Sequence, residues 1–269
     1  MTNGVGAEER RVALRAYLRA NSPIVIAYSG GVDSAFLLAA AVEAVGDQCL
    51  GVIADSASLP RLALADALQL ARAIGARVEV VATDEMGDPN YTRNPLNRCY
   101  FCKAELFTKL DALAQKRGFR AIAYGENADD AQQIRPGRQA AAEFRVLAPL
   151  REVGLTKSEI RALSRTMGLP TADAPAQPCL SSRIPHGTPV TTTTLGMIEQ
   201  AEAVVRSFGF RVFRVRHHVE VNRTRARLEI APNEIPGLAS VTEALRLGLR
   251  EVGYDEVLID PRGYRAPAA

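Results

Sequence analysis

The sequence predicts an α/β protein: a parallel sheet covered by helices, followed by a smaller α+β domain. Three observations predict it. Short apolar runs rich in β-branched residues alternate with helix-forming segments through the first 150 or so positions, the pattern of βαβ units. The first such run passes through a tight double-glycine turn, Tyr28-Ser29-Gly30-Gly31-Val32-Asp33-Ser34, straight into a helix-forming stretch. After a Pro- and Ala-rich segment, Leu169 to Pro178, the pattern changes to arginine-bearing alternation at period two. These place a domain over 1–178 and a second over 179–269.

The elements follow in order. Glu8 to Arg19 reads as an amphipathic helix with Val12, Leu14 and Leu18 toward the core. Ser22 to Ala27 is the first strand, and Ala35 to Val42 belongs to the helix after the glycine turn. Cys49 to Ala54 is a second buried strand ending in Asp55-Ser56. A helix runs from Pro60 to about Ile74, and Arg77 to Ala82 is a third strand ending in Thr83-Asp84. A loop with Gly87, Pro89 and Pro95 precedes a helix over Tyr100 to Lys116, and Phe119 to Tyr124 is a fourth strand. Thr156 to Met167 is the last helix of the first domain. In the second, Thr191 to Phe208 is a helix with Leu195, Ile198, Ala201, Val204 and Phe208 on one stripe and Glu199 and Glu202 on a neighbouring face. Phe210 to His218 and Arg227 to Ile230 are strands, Val241 to Val252 is a helix, and Tyr254 to Asp260 is a final strand.

Composition narrows the function. The 269 residues are 47% hydrophobic and 23% charged, as in a soluble globular protein. No apolar run is long enough to span a bilayer and the first residues are polar, so the cytosol is expected and a membrane is not. A net charge of +3 and the absence of Trp argue against a nucleic-acid surface. Four cysteines in a reducing compartment point to metal ligands or reactive thiols rather than disulfides.

The glycine turn is the first candidate site. Adjacent glycines let backbone N–H groups converge on one spot, and the helix N-terminus adds positive potential there. It is not a Walker loop, because no Gly-Lys-Ser/Thr follows. Asp33 stands at the helix start, where a magnesium ion would bridge it to a phosphate; the alternative is a plain strand–helix turn with an Asp cap. Strand-end groups on a parallel sheet converge on one crevice, which brings in Asp55 and the segment Gly125-Glu126-Asn127-Ala128-Asp129-Asp130. There Asn127 would fix a nucleotide and Asp129 or Asp130 would hold magnesium, or the segment is a solvated turn with an Asx cap. Arg135-Pro136-Gly137-Arg138 is a basic turn near the same edge.

Cys179, in a polar loop with Arg183 and His186, is a candidate reactive thiolate, since positive neighbours lower a thiol pKa. Cys99 and Cys102 form a CxxC pair open to redox, zinc or iron–sulfur readings. Cys179 would be a third thiolate, whereas Cys49 lies in a buried strand and reads as a core thiol. Arg214 and Arg216 share one face of a strand: either a fork for phosphate or carboxylate, or an exposed polar face.

Ser29-Gly-Gly-Val-Asp-Ser34 resembles the PP-loop of ATP pyrophosphatases, and the chain as a whole resembles the LarE family of pyridinium-3,5-biscarboxylic acid mononucleotide sulfurtransferases. The resemblance is carried by Arg98-Cys-Tyr-Phe-Cys-Lys103, Asn127-Ala-Asp-Asp130, Arg135-Pro-Gly-Arg138, Pro178-Cys-Leu-Ser-Ser-Arg-Ile-Pro-His-Gly-Thr-Pro189, Arg214-Val-Arg-His-His218 and Gly263-Tyr-Arg265. It implies an adenine nucleotide alpha hydrolase-like PP-loop domain, with Ser29, Gly30, Gly31, Val32, Asp33, Ser34, Asp55 and Asn127 at ATP, and Asp33 and Asp129 at Mg2+. It implies adenylation of a substrate carboxylate, sulfur transfer to give a thiocarboxylate, and a place beside the other proteins that make the nickel-pincer cofactor of lactate racemase. Cys179 matches the family's sulfur-handling cysteine and Glu202 an acidic residue beside it, with Glu199 the neighbouring alternative. Arg214, Arg216 and Ser182 match the binding site for the substrate phosphate. Family members work in two ways. In one, Cys179 surrenders its own sulfur and becomes dehydroalanine; in the other, three cysteines hold a [4Fe-4S] cluster carrying an extra sulfide. Members of the first kind lack the CxxC pair, so Cys99, Cys102 and Cys179 together imply the cluster. A homo-oligomer is implied as well. A tRNA thiolase, an ammonia-using synthase of the NAD synthase kind and a nucleotide-binding module without catalysis are the rival readings.

Overall fold

Seven strands are distributed between two separate sheets in the computed structural model, which describes residues 6–132, 136–221 and 223–264. Arg135 and Arg265 lie outside the described residues. The chain falls into two units. The first holds Met1–Ser56, Arg61–Glu85 and Cys99–Ala176; the second holds Ala57–Pro60, Met86–Arg98 and Gln177–Ala269. The sequence reading put one boundary after 178; the chain also lends two earlier segments, 57–60 and 86–98, to the second unit.

In the first unit, α1 (Ala7–Ala20) leads into β1 (Ile24–Ala27), α2 (Val32–Val45), β2 (Cys49–Asp55), α3 (Arg61–Ile74) and β3 (Val78–Ala82). The strands are all parallel, in the order β3-β2-β1-β4, where β4 is Ala121–Tyr124. The chain therefore steps outward from β1 on one side and later returns to its other side. That reversal is the switch point at which open α/β sheets place ligands, beyond the C-terminal strand ends. It sets the residues after β1 beside the residues after β4.

Helix α2 is buried nearly all round, from Val32 through Ala41, because Ala-rich turns let it lie close on the sheet and α1 covers it in turn. Of the three residues expected to face the core from α1, Leu14 and Leu18 are buried, but Val12 is 58% exposed. The reason is spacing: Leu14 and Leu18 are four apart on one stripe, and Val12 falls off it. On another side of the sheet, Val25, Leu50, Val52 and Ile122 pack with Phe107, Leu110 and Ala140. These last three come from α5 (Arg98–Arg117) and α6 (Pro136–Glu143). In the segment 86–98 that belongs to the second unit, a short α4 (Pro89–Thr92), capped by Asp88 Oδ1 accepting from Asn90 N at 2.8 Å, stands where a plain loop was expected. Two helices follow in the first unit, α7 (Pro149–Glu152) and α8 (Lys157–Thr166). Thr156 and Glu159 close a capping box at the start of α8.

The second unit contains α9 (Thr192–Ser207), β5 (Phe213–Glu220), β6 (Arg223–Ile230), α10 (Thr242–Glu251) and β7 (Glu256–Ile259). β5 and β6 are antiparallel and β7 is parallel to β6. One sheet face, with Phe213, Val215, Ala226, Leu228 and Val257, packs on Ala201 and Val205 of α9 and Leu245 and Leu249 of α10. The buried stripe of α9 is Leu195, Ile198, Ala201, Glu202 and Val205. Val204 and Phe208, expected on it, sit at its margin, half-buried against the same core. By the period of two, the other sheet face carries Arg214, Arg216, Arg225, Arg227 and Glu229. No helix among the described residues is long and apolar enough to cross a membrane.

Candidate functional site

In the first unit the chain leaves β1 through Tyr28, whose hydroxyl donates to the Ala67 carbonyl at 3.0 Å. Gly30 takes φ +74°, and a Cβ there would lie 2.7 Å from Ala67 Cβ, so no other residue fits. Gly31 caps α2. Ser34 braces the turn from inside: its Oγ accepts from Ser29 N at 3.2 Å, lies 3.0 Å from Ser29 Oγ and donates to the Gly31 carbonyl at 3.1 Å. The first N–H groups of α2 lack intrahelical acceptors, as at any helix start, and the helix dipole adds to them. The result is a rigid cradle for an anion.

The opposite wall comes from the end of β4. A Cβ on Gly125 would lie 2.8 Å from Ser34 N, so glycine is needed for the two segments to meet. Asn127 Oδ1 accepts from Asp129 N at 2.9 Å and Asp130 N at 3.2 Å, which is the Asx turn. The same Asn127 places Nδ2 3.5 Å from Asp33 Oδ2. The two readings of this segment are thus compatible, since the Asx turn is what sets Asn127 against Asp33.

A residue absent from the sequence reading completes the site. Lys157, the first residue of α8, puts Nζ 2.7 Å from Asp33 Oδ2, and its backbone N donates to Asp129 Oδ2 at 2.7 Å. The lysine that does not follow the glycines in sequence arrives from more than a hundred residues away; a Thr156 capping box ahead of Lys157-Ser158-Glu159 is the only local signal. Asp33 Oδ1 is buried with no hydrogen-bond partner. An orphaned carboxylate oxygen beside an anion cradle fits a hard cation such as Mg2+. Asp129 is exposed, with one oxygen already on Lys157 N. Asp55 lies at the end of β2, where Arg61 Nη1 holds it at 2.6 Å.

Arg138, expected in a basic turn, lies on α6, because Pro136 suits a first helical position, and it serves a buried carboxylate. Glu126 accepts from Tyr124 Oη at 2.6 Å and Arg151 Nη1 at 2.7 Å, and Arg138 Nε lies 2.8 Å from its other oxygen.

In the second unit Cys179, half-buried, precedes a 3-10 turn over Leu180–Arg183. The loop is pinned by the two segments that the second unit takes from the first half of the chain. Leu180 N donates to Ser58 O at 2.8 Å, Tyr91 Oη lies 2.7 Å from Ser181 Oγ, and Arg98 Nη1 donates to Ser181 O at 2.9 Å. Buried Asn94 donates from Nδ2 to the carbonyls of Pro185 and Thr188 at 2.8 and 2.9 Å. Arg183, expected to act on the thiol of Cys179, engages the Cys179 carbonyl at 3.1 Å and that of Pro178 at 2.6 Å. The rest of its guanidinium lies against the Glu202 carboxylate, at 2.8 and 3.1 Å. Both partners are buried, and Val215 N adds a bond to Glu202 at 3.2 Å. His186 is exposed. Glu202 is thus tied to the Cys179 loop through Arg183, and Glu199 is half-buried on the same helix.

Arg214 and Arg216 do share one strand face, but that face is not simply exposed. Arg216 Nε lies 3.1 Å from Glu229 Oε1, and its Nη1 donates to the Ser182 carbonyl at 3.1 Å. Arg214 is 4% exposed, and its Nη2 donates to Tyr264 Oη at 3.1 Å. Burial pushes its pKa down, and the charges of Arg183 and Arg216 push it further.

Cys99 is exposed and Cys102 half-buried on the first turn of α5, in the first unit; Cys179 belongs to the second. Taken by itself, neither unit gathers three or more His, Cys, Asp or Glu side chains into a metal centre among the described residues. Cys49 is the core thiol the sequence suggested: buried, with its pKa pushed up to about 12 by loss of water.

No family model matches the chain. Over 262 residues it is 39% identical to an uncharacterized protein of Synechocystis sp., with 96% of each chain covered. Over 258 residues it is 29% identical to the pyridinium-3,5-bisthiocarboxylic acid mononucleotide synthase of Lactiplantibacillus plantarum, covering 96% of this chain and 92% of that one. A glutamine-hydrolyzing GMP synthase of Thermomicrobium roseum matches 68% of this chain at 28% identity, but only 39% of its own length. That shorter match accords with a shared PP-loop fold, and the two near-full-length matches extend through the second unit. The α/β architecture, the braced glycine cradle and these alignments together show that the chain belongs to the LarE family.

Proposed function

We propose that the protein is an ATP-dependent sulfurtransferase. It activates the carboxylates of pyridinium-3,5-biscarboxylic acid mononucleotide and converts them to thiocarboxylates during synthesis of a nickel-pincer cofactor. The observation that carries this reading is the match along 96% of the chain to a synthase named for the bisthiocarboxylic acid mononucleotide.

The chemistry needs activation first, because a carboxylate oxygen is a poor leaving group. Attack of that oxygen on the α-phosphorus of ATP breaks the bond to pyrophosphate and forms an acyl-adenylate. A sulfur nucleophile then adds to the carbonyl carbon, AMP departs with the C–O bond, and a C–S bond remains. Two rounds yield the dithio product. The N–H groups of the Ser29–Ser34 cradle bind phosphate oxygens, with Asn127 setting the far wall. Lys157 offers a cation to the phosphates, and such preorganised charge lowers the barrier where charge develops. Asp33, with Asp129 behind it, would hold Mg2+, which when bound neutralises phosphate charge. Arg214, Arg216 and Ser182 hold the phosphate of the mononucleotide, and Arg183 with Glu202 fixes the backbone of Cys179.

Cys99, Cys102 and Cys179 would hold a [4Fe-4S] cluster; when bound with three protein ligands, such a cluster has an iron open to an extra sulfide. The exposed and half-buried states of these thiols support the assignment over Cys49. The protein would work in the cytosol as a homo-oligomer, between proteins that supply the biscarboxylate and that insert nickel.

The test is an anaerobic incubation with ATP, Mg2+ and the biscarboxylate mononucleotide, analysed for AMP, pyrophosphate and thiocarboxylate. An amide formed with ammonia would favour the GMP synthase type of chemistry. A colourless protein that loses the Cys179 sulfur on turnover would sink the cluster in favour of sacrificial transfer.

A further inference from the structure

Arg214 stands apart from the arginines around it. Arg183 is paired with Glu202, while Arg216 and Arg227 are both paired with Glu229. Among the described residues no carboxylate lies within ion-pair distance of Arg214, although it is the most buried of the four, with Arg183 next. Its partner across the strand pair is Glu229, and both oxygens of that carboxylate are committed elsewhere. A buried guanidinium without a counter-charge is costly, and it makes sense where an anion is to arrive.

What Arg214 does have is Tyr264. Nη2 donates to Tyr264 Oη at 3.1 Å, and the guanidinium carbon lies 4.8 Å from the centre of the Tyr264 ring. A phenol can orient a guanidinium through a hydrogen bond and a cation–π contact without cancelling its charge. A carboxylate in that place would neutralise the field that an anion needs.

The chain makes an effort to put Tyr264 there. Asp260 accepts from Arg262 N at 2.9 Å and Nε at 3.1 Å, and Gly263 N donates to Asp260 O at 3.0 Å. Gly263 takes φ +66°, where a Cβ would lie 2.7 Å from the Ile230 carbonyl; that carbonyl accepts Tyr264 N at 2.7 Å. The turn and the glycine together fix Tyr264 beside β5.

We infer that Tyr264 is the positioning residue that holds Arg214 ready for the phosphate of the mononucleotide substrate. The inference rests on the reading of Arg214 and Arg216 as the phosphate site. The experiment is calorimetric binding of the biscarboxylate mononucleotide and of its dephosphorylated nucleoside to the full chain, for wild type, Tyr264→Phe, Tyr264→Ala and Arg214→Ala. Tyr264→Phe keeps the ring and loses the hydrogen bond, so mononucleotide affinity falls roughly threefold to tenfold while nucleoside affinity holds. Tyr264→Ala loses the ring as well and falls further. In turnover, KM for the mononucleotide rises in Tyr264→Phe and KM for ATP does not, a split that general loosening of the fold would not produce. If Arg214→Ala loses the preference for the phosphorylated ligand and both Tyr264 variants keep it, Tyr264 has no such role and the phosphate site stands. If Arg214→Ala keeps that preference, the phosphate reading falls and the inference with it.

Discussion

The ammonium of Lys157 lies 2.7 Å from Asp33 Oδ2, while Asp33 Oδ1 is buried without a partner. One carboxylate thus has one oxygen on a lysine and the other buried without a partner. The lysine is a cation that can pass to an ATP phosphate, leaving both oxygens for a metal ion. Lys157→Met is expected to lower pyrophosphate release at saturating substrate by about tenfold to a hundredfold. Lys157→Arg should recover part of the rate. Pyrophosphate release at the wild-type rate from Lys157→Met would remove the lysine from the phosphate site.

Asp33→Asn tests the other half of that pair. The amide keeps the size of the side chain but is a far weaker ligand for a hard divalent cation. The Mg2+ concentration for half-maximal pyrophosphate release should rise about tenfold or more. A titration of activity against Mg2+ reads this directly; an unchanged midpoint would move the metal off Asp33.

Much of this was legible in the sequence, and what was missed has physical causes. The parallel sheet and the glycine turn were readable because β-branched runs and Gly pairs constrain the backbone locally. Lys157 was not, because the sheet order β3-β2-β1-β4 brings α8 to the cradle and spacing along the chain does not reveal it. The arginine pair was placed correctly on one face by the period of two. Its burial was not readable, since that depends on Glu229 and Tyr264, which come from other strands and turns. Arg183 beside Cys179 suggested thiol activation; its pairing with Glu202, buried on α9, was not readable, since that carboxylate comes from a helix nineteen residues on.

The Arg183–Glu202 pair is buried on both sides, so removing one partner strands the other charge. Glu202→Ala is expected to destabilise the second unit by about 3–5 kcal/mol. Glu202→Gln keeps the shape and a hydrogen-bond acceptor and should cost less. Chemical denaturation followed by hydrogen exchange on β5 and α9 measures it. A loss below roughly 1 kcal/mol for Glu202→Ala would mean the pair is not holding the Cys179 loop.

His217 is 1% exposed, with Nδ1 3.2 Å from Tyr254 Oη, and burial chiefly, with neighbouring His218, lowers its pKa from 6.5. The sign follows from linkage. Below 6.5 the unfolded chain takes up the proton before the folded one does. The stability contributed is complete above 6.5 and is lost progressively as the pH falls from there toward the folded value. His217→Gln should therefore flatten the stability profile between about pH 5 and pH 7, whatever it does to absolute stability. Imidazole titration by NMR should place His217 below the free value, and a normal titration would contradict the buried geometry.

The four cysteines separate into one buried thiol and three accessible ones, and that division gives the sharpest test of sulfur chemistry. Cys49 is deep in β2 with a pKa pushed up to about 12, so it supplies no thiolate near neutrality. Cys49→Ser should leave iron and acid-labile sulfide content unchanged in anaerobically prepared protein. Cys99→Ser, Cys102→Ser and Cys179→Ser should each lower both, because a three-thiolate site does not survive on two ligands. None of the three lies in the glycine cradle, so pyrophosphate release should persist in all of them while thiocarboxylate formation fails. Should Cys99→Ser and Cys102→Ser retain full thiocarboxylate yield while Cys179→Ser abolishes it, the sulfur would be coming from Cys179 alone, and the CxxC pair would have no part in the transfer.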